Sequence, residues 1–97
     1  MEFAEYEQAA ARTAKFAKDD REYKLMLLSM GLAGESGEAI DKIKKLVDYD
    51  DGGTLTDEKK KLLVSELGDV LWYLSQLAVQ LDSSLEEVAK ANMAKLA

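Results

Sequence analysis

The chain reads as all-α, a small four-helix bundle-like fold whose core is completed by homodimerisation. Three observations carry that reading. Proline is absent from all 97 residues, so no residue lacks the backbone donor a long helix needs. Alanine, leucine, glutamate and lysine, all strong helix formers, recur throughout. Apolar residues are spaced at three and four rather than in alternation. A chain of this length makes one domain, residues 1–97, and such small domains are marginal alone.

The first predicted helix spans residues 3–18, with Phe3, Tyr6, Ala10, Thr13, Ala14 and Ala17 near one face. Lys18-Asp19-Asp20-Arg21 is a polar break in which Asp19 or Asp20 can cap the next helix. The second helix runs from about residue 22 to 47 and buries Leu25, Leu28, Leu32, Ala39, Ile43 and Leu46. Gly31, Gly34 and Gly37 interrupt it, each at a cost of up to about 1 kcal/mol against alanine. They mark either close helix packing or the approach of a ligand.

The segment from Asp48 to Leu55 is an acidic, turn-rich loop. It is not a calcium loop, because the position that requires a terminal glutamate holds Lys59. Thr56 opens the third helix as N-cap, with Asp57 and Glu58 favouring the helix dipole. That helix continues to about residue 80 with an apolar arc of Leu62, Leu63, Val70, Leu74, Leu77 and Leu81. Ser83-Ser84-Leu85-Glu86 reads as a capping box that starts the fourth helix.

Composition excludes several function classes. Cysteine is absent, so no disulfide frame exists and a reducing cytoplasm is the simplest location. Histidine is absent, which removes the commonest general base and makes zinc a poor fit. The net charge of −6 argues against nucleic acid as a partner. The apolar runs look too short to span a membrane, and the acidic start, Met1-Glu2, is unlike a signal peptide.

Four acids stand out against this background. Glu35 and Glu38 lie one turn apart within GLAGESGEAIDKIKK, and Glu66 and Asp69 repeat the relation within LVSELGDVLWYL. At ~100° per residue, Glu35 falls at the edge of the apolar stripe and Glu38 about 60° further round. Two long helices joined by a short loop pack antiparallel, which brings the pairs together. Four ionised carboxylates converging on one seam repel unless protons or cations intervene. An all-oxygen cage suits Mg²⁺, with Mn²⁺ as the alternative, and Mg²⁺ takes substrate phosphates as remaining ligands. The implied chemistry is attack of water on a phosphate.

These motifs resemble the MazG-like all-α nucleoside triphosphate pyrophosphohydrolases, whose signature is Glu-x-x-Glu followed by Glu-x-x-Asp. Glu5-Tyr6-Glu7-Gln8 with Arg12-Thr13-Ala14 is similar to that family's first helix, and Asn92-Met93-Ala94-Lys95-Leu96 to its closing Asn-x-x-Lys-Leu element. The resemblance implies cleavage of a nucleoside triphosphate between the α- and β-phosphates, releasing a monophosphate and pyrophosphate. It implies that Glu35, Glu38, Glu66 and Asp69 hold Mg²⁺ and that one of the glutamates orients or deprotonates water. Asn92 and Lys95 would contact the nucleotide.

Lys42 and Lys45, by their angular position, either meet phosphate or pair locally, Lys42 with Glu38 and Lys45 with Asp41. Trp72 or Tyr73 either stacks on the base or packs in the core, and Phe16 and Tyr23 are equally open. Ile40, Val47, Leu67, Leu71, Leu74 and Leu81 widen the apolar arcs beyond one contact stripe, which predicts a homodimer or a dimer of dimers. Two other readings remain: a dUTPase- or dCTPase-like member of the same superfamily, and a non-enzymatic helical interaction module.

Overall fold

Four helices follow one another: α1 (Phe3–Ala11), α2 (Arg21–Asp48), α3 (Asp57–Gln80) and α4 (Leu85–Leu96). The structure is a computed structural model and describes residues 1–48 and 54–97, apart from the side chains of residues 47 and 48. No strand occurs among the described residues, so the all-α reading holds. The expected acidic loop falls largely outside the described residues.

α2 and α3 form the central hairpin, and its antiparallel register can be followed residue by residue. Leu46 shares a cleft with Leu62 and Leu63, Lys42 reaches Glu66, and Gly31 lies against Tyr73. At the far end Arg21 donates to both carboxylate oxygens of Asp82 at 2.9 and 3.0 Å. The hairpin's ends are fixed locally. Thr56 Oγ1 accepts from Lys59 N–H at 3.2 Å, as its N-cap assignment requires. α3 closes with Ser83 N–H on Ala78 O and Asp82 N–H on Val79 O, the Schellman pair of bonds. Asp82 takes the left-handed position at φ 53°, a place where aspartate is better tolerated than most residues.

The fourth helix starts one residue later than the sequence suggested. Ser84, not Ser83, is the N-cap and accepts from Glu87 N–H at 3.1 Å. Glu7 of α1 accepts from Leu85 N–H at 3.0 Å, so a side chain from the other end of the chain satisfies a second free donor of α4.

The first helix is shorter than expected, ending at Ala11 rather than near residue 18. Thr13 competes with the helical ladder. Its N–H and its hydroxyl both donate to Ala10 O, at 3.0 and 2.7 Å. Residues 12–20 then cross to α2 as a strap. Lys24 Nζ of α2 sits 5.2 Å from the Phe16 ring centroid and Lys18 Nζ 5.2 Å from that of Tyr23 on α2, so two cation–aromatic contacts tie the strap to α2.

The core is small, and half of its buried residues are alanine or serine. Ala10, Leu28, Ala39, Leu46, Ala78 and Leu85 are buried, together with Ser75 and Gln76. Leu28 and Ala39 confirm the stripe of the second helix, but Ile43 is exposed. The arc expected on the third helix is displaced. Leu62, Leu74 and Leu81 are exposed, while Ser75, Gln76 and Ala78 face inward. Small side chains let the helices approach closely, and the large ones point away from the single-chain core. Ile40 and Leu67 are likewise exposed, at 66% and 59%.

α3 is also long and apolar enough to cross a membrane by length and composition, contrary to the sequence expectation. Glu66 and Asp69 divide its apolar run, which is why no such span was read from the sequence. α3 makes its most extensive contacts with α2.

Glycines divide by the same geometry. A Cβ at Gly31 would run into the Tyr73 ring, whereas Gly34 and Gly37 have open space. Gly31→Ala is therefore expected to lower the melting temperature and move Tyr73. Gly34→Ala is expected to raise stability by about 0.5–1 kcal/mol through helix propensity. Thermal melts by circular dichroism check both, and equal effects would sink the distinction.

Candidate active site

The acids meet at the middle of the hairpin. Glu35 and Glu38 stand on successive turns of α2 and Glu66 faces them from α3, so carboxylate oxygens of all three lie within 4.8 Å of one another. Glu66 is well enclosed, its side chain 13% exposed, and Glu38 is exposed. Asp69 stands outside this triad, one turn further along α3. It lines a pocket of about 320 Å³ with Glu35, Trp72 and Tyr73.

Electrostatics show the strain of this convergence. The Glu35 carboxyl is pushed above its ordinary value, first by burial and then by the charges of Glu38, Asp69 and Glu66. Lys42 supplies one compensating cation. Its ammonium donates to Glu66 Oε1 across the hairpin, and its pKa is raised chiefly by that bond. Of the two local pairings considered for the lysines, only Lys45 with Asp41 forms, at 2.9 Å. Lys42 leaves Glu38 for Glu66 because the adjacent helix offers a more enclosed acceptor.

Two oxygens remain without a partner. Glu35 Oε2 and Glu66 Oε2 are buried and accept no hydrogen bond. Buried acceptors of this kind are rare unless a ligand completes them. Three carboxylates, no histidine and no cysteine make a hard, all-oxygen donor set. That set fits a divalent cation of the magnesium type.

Two residues of the α1 region reach the site, neither of them marked as functional by the sequence pattern. Tyr6 has its phenol pKa raised by burial and by the charge of Asp69, which places the ring beside that acid. Thr13 Oγ1 accepts from Trp72 Nε1–H at 2.8 Å. Nothing in the local pattern pairs residues 59 apart; only the likeness of this segment to a family's first helix hinted at importance. Trp72 and Tyr73 meet edge to face, centroids 4.9 Å apart at 80°.

The remaining predicted residues lie apart from the acids. Lys42 and Lys45 line, with Lys59, Leu46, Leu62 and Leu63, a second pocket of about 170 Å³ towards the loop end of the hairpin. Asn92 and Lys95 are exposed on α4, which touches α1 and α3 but, among the described residues, not α2. Within one chain they are not brought to the carboxylates.

An antiparallel helical hairpin with carboxylates gathered across its seam defines an all-α, acid-lined class of proteins. Comparison with known proteins narrows the class. The MazG nucleotide pyrophosphohydrolase domain matches residues 23–97, and the chain belongs to that family. It is also 47% identical over 72 residues to the Gene 37 protein of Mycobacterium phage L5, an alignment that covers 74% of this chain and 62% of that protein. The chain thus spans under two thirds of that relative's length. No solved structure matches it. The family match starts at residue 23, so α1 and the strap, with Tyr6 and Thr13, lie outside the matched span.

The raised pKa of Glu35 has a consequence for stability. A carboxyl with a higher pKa folded than unfolded stabilises the fold below the ordinary value of 4.5, and loses that contribution as pH rises through its folded value. In EDTA, the melting temperature of the wild-type chain is expected to fall between pH 4.5 and 7 relative to Glu35→Gln. Parallel melting curves for the two proteins across that window would count against the repulsion described here.

Proposed function

We propose that the chain is a Mg²⁺-dependent nucleoside triphosphate pyrophosphohydrolase, cleaving between the α- and β-phosphates to a monophosphate and pyrophosphate. Its role would be nucleotide-pool house-cleaning in the cytoplasm. The observation that carries this reading is the pair of buried, unpartnered oxygens of Glu35 and Glu66, converging with Glu38 beside an aromatic-walled pocket. Membership of the MazG family supports a nucleotide substrate.

In this reading Glu35, Glu38, Glu66 and Asp69 hold the cation, and Trp72 offers a face to the base. When bound, Mg²⁺ would neutralise the acids and the phosphate charge together. One of these glutamates would also orient or deprotonate the attacking water. Lys42, already at Glu66, can pass to a phosphate oxygen, with Lys45 further along the same helix.

The working unit is proposed to be a homodimer or a dimer of dimers. The single chain has a Cα radius of gyration of 15.8 Å, against about 12.5 Å for a compact domain of this length. Its accessible surface is 7218 Å², against about 5,500 Å² for a compact monomer of this mass. The exposed Ile40, Leu62, Leu67 and Leu81 supply an apolar face for a second copy. Asn92 and Lys95, remote from their own chain's acids, would then meet nucleotide across a subunit boundary. α3 is read as an arm of that shared core rather than a membrane span.

A panel of standard and modified nucleoside triphosphates, assayed for pyrophosphate release with Mg²⁺, tests the activity. A strong preference for dUTP or dCTP would select the alternative members of the superfamily. Glu38→Ala and Asp69→Ala should each lower kcat/KM at least a hundredfold with helical content retained; near-normal turnover in either would remove that residue from the site. Mg²⁺ should also raise the wild-type melting temperature by several degrees. A chain unmoved by Mg²⁺ and inert towards the whole panel would be a helical interaction module instead. Sedimentation equilibrium should return twice or four times the chain mass, and a monomer at micromolar concentration would exclude the shared core.

A further inference from the structure

Trp72 is held on two sides. Its indole N–H is taken by Thr13 Oγ1 at 2.8 Å, and Tyr73 meets it edge-on. Tyr73 in turn occupies the space that Gly31 leaves empty on α2. The Thr13 hydroxyl donates to Ala10 O at 2.7 Å while accepting from Trp72, so its orientation is set by the end of α1. A side chain confined in this way loses little further freedom when a ligand packs on it. The ring it fixes borders the pocket that Glu35 and Asp69 also line. Trp72 is only half buried and keeps part of its surface open to that pocket.

Building on the pyrophosphohydrolase reading, we propose that Thr13 is a positioning residue for base recognition. Through the indole N–H it fixes Trp72 as the wall against which the nucleobase of a nucleoside triphosphate lies, with the phosphates directed to the acids. The residue that sets the base site thus comes from the strap after α1, outside the span that the family match covers. Aromatic stacking accepts any base, so the contribution is to affinity for the nucleoside moiety and not to the chemical step.

Trp72 is the one tryptophan of the chain, so its emission and its indole N–H resonance report on this site alone. In the full chain with Mg²⁺, a nonhydrolysable nucleoside triphosphate should quench the emission and shift the resonance, and inorganic tripolyphosphate should leave both nearly unchanged. Thr13→Val should raise KM about fivefold, the loss of roughly one hydrogen bond, with kcat little changed. Thr13→Ser, which keeps the hydroxyl, should restore KM. Trp72→Phe keeps a ring but drops the N–H, and it should raise KM similarly. The double variant should be no worse than the poorer single one, because both remove the same bond.

If Thr13→Val loses its helical signal, the wild-type resonance and Trp72→Phe decide the matter. A wild-type enzyme that turns over nucleotide with no Trp72 response, or variants with unchanged KM or additive effects, would overturn the positioning role and leave the proposed activity standing. A chain that neither binds nor hydrolyses any nucleotide would remove both.

Discussion

The structure depends on one constraint: acids must converge on a seam that apolar packing holds shut. Leu28, Ala39 and Leu46 bring α2 against α3, and that contact forces Glu35, Glu38 and Glu66 to within 4.8 Å. Like charges brought so close oppose the packing that gathers them. The chain answers in two ways, with the ammonium of Lys42 on Glu66 and a raised pKa at Glu35. Neither satisfies the buried Oε2 atoms of Glu35 and Glu66, so the seam is left with unpartnered negative charge. Acids left unsatisfied in this way are what a bound cation would complete, in the function proposed above.

The other elements serve this hairpin in ways that a bundle diagram would hide. α1 is short, yet it touches three features that matter. Glu7 caps α4, Tyr6 stands beside Asp69, and Thr13, just past its end, holds Trp72. α1 ends at Ala11, and the Thr13 hydroxyl just beyond it serves both sides, donating to Ala10 O and accepting from Trp72 on α3. The strap that follows is pinned by two cation–aromatic contacts and by Lys24 on Asp19 at 2.8 Å, all of modest strength at an exposed surface.

Packing inside one chain uses alanine, serine and glutamine where leucine was expected, and this has a structural meaning. Ser75 and Ala78 permit close helix approach, whereas Leu62, Leu74 and Leu81 stay open to solvent. A surface this apolar on so small a domain exceeds what single exposed side chains explain. It supports the proposal that a second copy shares the core, which would give Asn92 and Lys95 a route to nucleotide that their own chain does not provide.

Much of this protein was legible before any fold was known, and the legible part was local. Absent proline and 3.6-residue periodicity set the spans of α2 and α3 to within a residue or two, and Thr56 marked its cap correctly. The acids were found because i,i+3 spacing puts both members of a pair on one helical face. The end of α1, the true cap at Ser84 and the Schellman turn at Asp82 were missed, because each depends on a hydrogen bond between groups that compete with the regular ladder. Which faces meet is not a local property. Helix rotation and register come from the sum of packing across the seam, so only the tertiary structure could send Lys42 to Glu66 rather than Glu38, seat Tyr73 on Gly31 and join Thr13 to Trp72.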